Sequence, residues 1–360
     1  MLPVFELRRE GVVMRSPESS ASSRWPSRFA LWIGVAFACG VFAAAVSDAA
    51  ESRQTGAQKI VFVRLLSPGE GQLWTMNTNG SNQQPLTPAS ESVATPAWSP
   101  DGQEIAFTST GPSGDPSKST IWLIKADGSG EHQLTQLPPN CQAIDDSPTW
   151  SPDGTRIAFI SDRSGPWELY TIKTDGSGLQ KITSLPFGQP CEASGVGASS
   201  PSWLPKANTI VFADDYVPGH DLGHHEIYLI HPDGSGLRRL TNRAAAKHGC
   251  QHGDGNSQPT WSPNGRNIAF TSDLSGHPEI YVMNTNGNHS KRLTHLERRG
   301  CPNGSGNQLP TWSPDTKHIA FTTDRTGRNE IYAMNSDGSN QHALTNGPTT
   351  NYSPAWQPTP

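Results

Sequence analysis

Short apolar runs, each ended by a turn sequence, recur along this chain from residue 59 to residue 356. In one copy, residues 157–159 (I-A-F) follow the turn sequence S-P-D-G at 151–154, and residues 168–170 (E-L-Y) follow D-R-S-G at 162–165. Short runs that alternate apolar and small side chains between Gly, Pro and Asp residues are typical of β-strands. We therefore predict short strands joined by tight turns, and we expect the I-A-F strands to be half-buried.

A long repeat organises these strands. The motif P-x-W occurs six times at intervals of 44 to 58 residues, with its tryptophan at Trp98, Trp150, Trp203, Trp261, Trp312 and Trp356. The first five copies are each followed by a version of S-P-D-G-x-x-I-A-F, then of E-I-Y-x-M-N and D-G-S, and finally by a closing Thr. Four short strands repeated every 40–50 residues or so are the signature of a β-propeller blade.

The ends of the repeat predict how the ring closes. Residues 59–87 supply the last three strands of a blade without a P-x-W, and residues 354–356 supply a P-x-W with no strands after it. We predict an all-β, six-bladed β-propeller of four-stranded antiparallel blades, closed by the C-terminal strand as the innermost strand of blade 1. Such closure removes open sheet edges.

The predicted organisation is an N-terminal extension with a signal peptide or anchor at 1–50, a linker at 51–58 and the propeller at 59–360. The blades are predicted at 59–87 with 352–357, 96–135, 148–183, 201–241, 259–294 and 310–345. A small residue precedes each motif tryptophan, at Ala97, Thr149, Ser202, Thr260, Thr311 and Ala355. A large ring beside a small neighbour favours packing between blades over a ligand-stacking role for these tryptophans.

The repeats W-S-P-D-G-x-x-I-A-F-x-S-D-R and I-Y-x-M-N-x-D-G-S-x-x-x-x-L-T resemble those of the TolB propeller. They are also similar to the WD40-like propeller of the prolyl oligopeptidase and dipeptidyl peptidase family. The resemblance covers residues 59–356. It implies a TolB-like six-bladed propeller that binds proteins, and we expect neither the α/β domain that precedes the TolB propeller nor a peptidase domain.

Motifs that carry catalysis do not occur in the sequence. It contains no G-x-S-x-G nucleophile motif, no P-loop, no dinucleotide fingerprint and no H-E-x-x-H. The D-G-S triplets recur at one position per blade, which indicates turns and not a unique nucleophile. We therefore expect a non-enzymatic protein-binding scaffold without a cofactor. The alternatives are a metal-assisted lyase or hydrolase acting on a carbohydrate or small ester, and a purely structural module.

The amino-acid composition limits the classes of partner, and the N-terminal sequence predicts the cellular location of the protein. Charged residues make up 16% and the net charge is −5, with no basic stripe, so we expect no nucleic-acid partner. The TolB resemblance implies an envelope or extracellular protein as the partner, and we expect a monomer. Arg24 and Arg28 precede an uncharged run at 29–46 and the small residues of 47–50. This pattern favours a cleaved export signal, hence a periplasmic or secreted protein, over an uncleaved membrane anchor. Translation from Met14 in place of Met1 would give a more ordinary signal length.

The segments that connect one blade to the next vary most along the repeat. From the closing Thr to the next P-x-W there are 8, 12, 17, 17 and 15 residues. Variable loops on a rigid scaffold are where binding usually resides, so we predict the binding surface on the face that carries these crossings. The crossings also hold four cysteines, and ring geometry favours the disulfides Cys141–Cys191 and Cys250–Cys301 over a single bridge or free thiols.

One cluster of residues departs from the repeat. A long blade-4 loop and the crossing after it bring together five of the twelve histidines and an aspartate: His220, Asp221, His224, His225, His248 and His252. Imidazole and carboxylate groups are ligands of transition metals, so these residues form a candidate divalent-metal site. A solvated polar loop is the alternative interpretation.

Overall fold

The computed structural model describes residues 58–67, 69–89, 92–115, 117–139, 141–184, 197–215, 224–242, 255–296 and 306–359. These residues form 24 strands in six four-stranded antiparallel sheets, with one short 3₁₀ turn at Gly111–Ser113. The six-bladed propeller predicted from the repeat is confirmed. Within the described ranges, no helix has the length and apolar character needed to cross a membrane.

The strands follow the chain blade by blade, from the innermost strand outwards. Blade 1 holds β24 (Thr350–Trp356), β1 (Lys59–Ser67), β2 (Glu70–Asn77) and β3 (Gln84–Pro85). Blade 2 holds β4 (Val93–Trp98), β5 (Glu104–Ser109), β6 (Thr120–Lys125) and β7 (His132–Gln133). Blade 3 holds β8 (Asp145–Trp150), β9 (Arg156–Ser161), β10 (Glu168–Lys173) and β11 (Gln180–Lys181). Blade 4 holds β12 (Ala198–Trp203), β13 (Ile210–Asp214), β14 (Glu226–Ile230) and β15 (Arg238–Arg239). Blade 5 holds β16 (Asn256–Trp261), β17 (Asn267–Ser272), β18 (Glu279–Asn284) and β19 (Lys291–Arg292). Blade 6 holds β20 (Asn307–Trp312), β21 (His318–Thr323), β22 (Glu330–Asn335) and β23 (His342–Ala343).

The C-terminal strand closes the ring as predicted. Strand β24 pairs with β1 in antiparallel register, with Ile60 opposite Trp356. Beyond the strand, Gln357 N donates to Lys59 O (2.9 Å), and Gln58 Nε2 donates to Gln357 O (2.7 Å). Blade 1 is therefore assembled from both ends of the repeat, which leaves no unpaired innermost edge.

Each innermost strand begins three or four residues before its P-x-W proline and contains a bulge at that proline. In blade 2, Ala94 pairs with Thr108 and Ala97 with Ala106, so two residues on one strand oppose one residue on its partner. The residue before each proline has a left-handed φ of 46–54° at Thr95, Ser147, Ser200, Gln258, Leu309 and Ser353. Repetition of this uncommon geometry in every blade makes the bulge part of the blade design.

The second strand of each blade is buried on both faces, so the expectation of half-buried I-A-F strands is wrong. Ile105, Ala106 and Phe107 are all 0% exposed, and every residue of β13 is buried. The reason is architectural, because each sheet is packed between the two neighbouring blades and has no solvent face. The alternation of small and large side chains reflects packing between sheets rather than contact with water.

The motif tryptophans pack between blades, as predicted. Trp98 of blade 2 lies in one cluster with Val61 and Val63 of blade 1, and Trp150 of blade 3 packs with Ala106 of blade 2. The tryptophans of blades 2 to 6 are 5–7% exposed. Their indole rings therefore belong to the joints between blades.

The antiparallel order puts the two hairpin turns of each blade, between strands one and two and between strands three and four, on one face of the ring. We call this the turn face. The loops between strands two and three, together with the crossings from blade to blade, lie on the opposite face, which we call the crossing face.

Buried polar groups join successive blades near the crossing face. In blade 5, Thr294 Oγ1 accepts a hydrogen bond from Ile280 N (2.9 Å) and donates one to the buried Glu279 carboxylate. Asn307 of blade 6 donates its Nδ2 to the same carboxylate (2.7 Å). The same trio recurs as Glu226, Thr241 and Asn256, and as Glu330, Thr345 and Asn351. These groups, with their counterparts between blades 2 and 3, form what we call the junction layer.

Between blades 2 and 3 the junction carries its negative charge on the other blade. Thr120 stands in the position of the blade-5 glutamate, and Asp145 stands in the position of the asparagine. Thr135 donates to Asp145 (2.6 Å), and Arg163 Nη2 lies 2.6 and 2.5 Å from its two oxygens. Asp145 is fully buried and Arg163 is 9% exposed. Every junction that contains a carboxylate thus also supplies donors to it, as burial of a charge requires.

Candidate functional site

The D-G-S triplets form turns at the turn face, as predicted. Ser129 N and Oγ both donate to Asp127 Oδ1 (2.9 and 2.7 Å), and the same pair of bonds joins Ser339 to Asp337. These hydrogen bonds hold the pKa of Asp127 and of Asp337 below the usual range of an aspartate. The serine hydroxyl is committed to the turn, which is the role that its repetition indicates.

A channel runs along the ring axis and opens at the turn face. Its inner cavity has a volume of about 260 Å³, and a second cavity of about 530 Å³ lies at the turn-face mouth. Both cavities are lined by Ala97, Trp98, Thr149, Trp356 and Pro358, so they adjoin each other along the ring axis.

Two proline rings line this channel, each with one proline per blade. The inner ring is the proline of P-x-W, at Pro96, Pro148, Pro201, Pro259, Pro310 and Pro354. The mouth ring is the proline two residues after each motif tryptophan, at Pro100, Pro152, Pro205, Pro263, Pro314 and Pro358. A proline has a fixed φ and no N–H group, so the rings present a stiff, apolar wall.

Between the rings the lining combines small, largely hydroxyl-bearing residues with the motif tryptophans Trp98, Trp150, Trp203, Trp312 and Trp356. Thr149, Ser202, Thr260 and Thr311 contribute hydroxyl groups, and Ala97 and Ala355 leave space. Among the described residues that line the two cavities, Lys206 at the mouth is the only charged side chain. The channel can therefore offer apolar contact and hydrogen bonds to a ligand, but little charge.

A carboxylate lies behind this lining. Asp146 Oδ1 accepts hydrogen bonds from Thr95 Oγ1 and Thr108 Oγ1 (2.8 Å each) and from Ser147 N (2.6 Å). Burial, together with the charge of Asp146, raises the pKa of Tyr352. Asp146 thus ties blade 2 to blade 3 beside the channel and supports the bulge residue Thr95 in its left-handed conformation.

Of the six predicted metal ligands, only His224 and His225 lie in the described part of the chain. His225 forms a bridge with Gly255, and His225 O accepts a hydrogen bond from Asn256 N (2.8 Å). The ends of the two histidine-bearing segments therefore meet at the crossing face. Within the described ranges, no three His, Cys, Asp or Glu residues are grouped as a metal site would need. The predicted ligands His220, Asp221, His248 and His252 lie outside those ranges, and the metal site stays a prediction.

The predicted disulfides involve one described cysteine. Cys141 is buried at 3% exposure, and its N–H donates to Pro138 O (3.2 Å) in the crossing from blade 2 to blade 3. Cys191, Cys250 and Cys301 lie outside the described residues, as do the central parts of the three longest crossings, at 185–196, 243–254 and 297–305. The pairings Cys141–Cys191 and Cys250–Cys301 and the binding surface at the crossings stay predictions.

Comparison with known proteins agrees with the β-propeller fold described above. The family model of the TolB beta propeller domain matches residues 188–308 and 255–360. The Tol-Pal system protein TolB of Alcanivorax borkumensis is 44% identical over 71 residues, which cover 19% of this chain and 14% of that protein. The Protein TolB homolog of Chlorobium luteolum is 28% identical over 277 residues, covering 66% and 56%. The crystal structure of TolB from Acinetobacter baumannii superposes with a TM-score of 0.65 at 22% identity, covering 84% of this chain and 68% of that one.

The chain is a TolB-like β-propeller. It spans between 14% and 56% of the length of these two curated relatives. The structural likeness covers 84% of this chain, and at 22% identity it is a likeness of fold.

The proline rings are the feature of this TolB-like propeller that sequence reasoning misses. Both prolines are visible in the repeat, as the spacing P-x-W-x-P in all six copies. The sequence-based prediction assigns the second proline only to the S-P-D-G turn. A residue type that recurs at one position in every blade of a closed ring must form a ring itself, and this signal could have located the channel lining.

Proposed function

We propose that this chain is an exported, non-enzymatic propeller that binds another protein, with the turn-face mouth of the central channel as the docking site. The observation that carries the proposal is the pair of proline rings around two adjoining cavities of the central channel. The TolB-like fold supports a role in binding protein partners of the cell envelope. The crossing face predicted from loop variability is the competing docking surface.

A proline-lined mouth suits a polypeptide ligand for physical reasons. Proline side chains offer apolar surface, and the ring closure and bulges keep them in place before binding. A preorganised site loses little conformational entropy when a ligand enters. The hydroxyl groups of Thr260 and Thr311, deeper in the channel, can hydrogen-bond an inserted side chain or carbonyl group.

The site can be tested by filling the channel. Thr311→Arg places a long side chain between the proline rings, whereas Thr326→Arg adds the same group to an exposed loop of the same blade on the crossing face. After cross-linking in envelope extract, we expect proteins captured by the wild type to be retained by Thr326→Arg and lost with Thr311→Arg. Loss with Thr326→Arg alone would place docking on the crossing face. If Thr311→Arg lowers the unfolding midpoint, Thr260→Arg tests the same channel.

Export is part of the proposal and has its own test. The run at 29–46 after Arg24 and Arg28 supports a signal that directs the chain to the periplasm or the medium. Intact-mass analysis of the exported protein should show an N-terminus near residue 50 and, without reductant, two disulfides. A mass that retains residues 29–46 would support the anchor instead, and four alkylatable thiols in Cys141, Cys191, Cys250 and Cys301 would contradict the pairings.

A metal-dependent enzyme is the second candidate. The bridge between His225 and Gly255 supports it, because it brings together the ends of the two segments that carry the predicted ligands. His225 Nδ1 is also buried without a hydrogen-bond partner among the described residues. If the site exists, zinc should raise the melting temperature of the wild type and of His342→Ala, an exposed turn-face control, but not of His225→Ala. No shift in the wild type at saturating zinc would remove this candidate.

A further inference from the structure

Blades 2 and 5 lie opposite each other in the ring and carry opposite charge at the turn face. The turn segments of blade 2, residues 98–104 and 125–133, contain Asp101, Glu104, Lys125, Asp127 and Glu131, a formal charge of −3. The equivalent segments of blade 5, residues 261–267 and 284–292, contain no acidic residue and carry Arg266, Lys291 and Arg292, a formal charge of +3. The channel mouth with its proline ring lies between these two sectors.

The turns themselves do not need the acidic charge. In blade 2, Asp101 Oδ1 accepts hydrogen bonds from Ser99 Oγ (2.6 Å) and Gln103 N (3.0 Å). In blade 5, Asn264 Oδ1 accepts the equivalent hydrogen bonds from Ser262 Oγ (2.8 Å) and from Arg266 N (2.9 Å). A neutral amide therefore closes the same turn with the same contacts, and the fold leaves the sign of the charge open.

The second hairpin of the two blades gives the same comparison. Asp127 Oδ1 accepts Ser129 N at 2.9 Å, and Asn286 Oδ1 accepts Asn288 N at 3.0 Å. Asp101, Asp127, Arg266 and Lys291 are exposed. The charges are thus presented to solvent at positions where the repeat tolerates neutral residues, which is where charge is available for recognition.

We infer that the turn face orients a polypeptide segment by charge, with basic residues of the segment over blade 2, uncharged residues over the channel mouth, and acidic residues over blade 5. The inference rests on the proposed function, because it assumes that the partner docks at the mouth. Opposite charges at the two ends of the site favour one direction of the segment over its reverse. The preference should weaken with salt, since exposed charges are screened over about 8 Å at physiological ionic strength.

The test uses two labelled synthetic peptides of equal composition. The block peptide carries three lysines at one end, three glutamates at the other and an uncharged centre with Phe and Pro, and the permuted peptide alternates the six charges. At low salt we expect the wild type to bind the block peptide about 3- to 10-fold more tightly than the permuted one, as a few exposed ion pairs would give. The margin should shrink at 0.5 M salt.

Variants that copy the neutral turns of the opposite blade complete the test. The double variant Asp101→Asn with Asp127→Asn removes charge while keeping the side-chain geometry that blade 5 already uses, and it should lose the preference for the block peptide. The control Asp175→Asn with Asp233→Asn changes the equivalent turns of blades 3 and 4 and should keep it. Equal binding of both peptides by the wild type, or a preference unchanged in Asp101→Asn with Asp127→Asn, would overturn the inference alone. Absence of binding by either peptide would overturn it together with the docking of polypeptides at the mouth.

Discussion

The two faces of the ring use the same repeat in different ways. At the crossing face, the repeated Glu, Thr and Asn positions are buried and bonded to one another, so that blade 4 is fastened to blade 5, blade 5 to blade 6 and blade 6 to blade 1. At the turn face, the repeated prolines line an open channel and the repeated turns carry exposed charges. Within the described residues, one face therefore serves cohesion of the ring and the other is left available for a ligand.

The largest effect is expected in the junction layer between blades 2 and 3. Arg163→Met removes the cation that is hydrogen-bonded to the fully buried Asp145, which leaves Thr135 as the remaining side-chain donor among the described residues. Loss of one partner of a buried ion pair destabilises a protein by about 3–5 kcal/mol. Chemical denaturation of the variant beside the wild type measures this difference.

Blade 5 supplies the control for that prediction. In blade 5, Asn256 stands at the position of Asp145 and Leu274 at the position of Arg163, so the repeat accommodates an uncharged pair at these two positions. Asp145→Asn combined with Arg163→Met should recover most of the lost stability. A double variant as unstable as Arg163→Met alone would show that the arginine acts through packing on Phe159 and Tyr170 and not through charge.

A smaller effect is expected in a single turn at the other face. Thr316 has a left-handed φ of 63° at the position that Gly102, Gly154 and Gly265 occupy in blades 2, 3 and 5 with φ of 67–70°. A β-branched residue is strained there, so Thr316→Gly should stabilise the propeller by about 1 kcal/mol. Gly154→Thr introduces the same strain into blade 3 and should destabilise it. The prediction fails if both variants shift the unfolding free energy in the same direction.

The smallest expected effect is on the stability of the fold at acidic pH. Hydrogen bonds from Ser129, Ser177 and Ser235 lower the pKa of Asp127, Asp175 and Asp233 in the folded chain. A lowered folded-state pKa stabilises the fold above the unfolded value of about 4, and that contribution is lost as the pH falls through the folded value.

Stability should therefore decline from pH 5 to pH 3, and it should decline less steeply in a variant with asparagine at these three positions. Titrating the unfolding free energy of both proteins checks this. Identical slopes would mean that other carboxyl groups carry the acid sensitivity.

The architecture can be predicted from the sequence because the same pattern of strands and turns is repeated in every blade. Six copies of P-x-W, the strands around them and the incomplete first and last units determine the number of blades and the closing strand. The burial of the second strand on both faces is not evident from the sequence, because alternation along one strand does not reveal that a sheet has neighbours on both faces. The junction between blades 5 and 6 carries its carboxylate at Glu279, whereas the junction between blades 2 and 3 carries it at Asp145. This difference depends on contacts between residues of different blades, which spacing along the sequence does not show.

Identifying the channel as a site requires the three-dimensional arrangement of the ring. Thr311 and Pro314 look like strand and turn residues in the sequence, and only their sixfold arrangement about an axis makes them a channel wall. The crossings vary most in length and sequence, and this variability is the functional signal on which the sequence-based prediction depends. The channel lining is uniform along the repeat, so variability does not reveal it.

The most direct test of channel docking is the affinity of one purified partner, identified by the cross-linking capture, for three proteins. We predict that Thr311→Arg raises the Kd more than tenfold, whereas Thr326→Arg leaves it within twofold of the wild type, with the same unfolding midpoint in all three. A Kd unchanged by Thr311→Arg but raised by Thr326→Arg would contradict docking at the channel and place the partner on the crossing face.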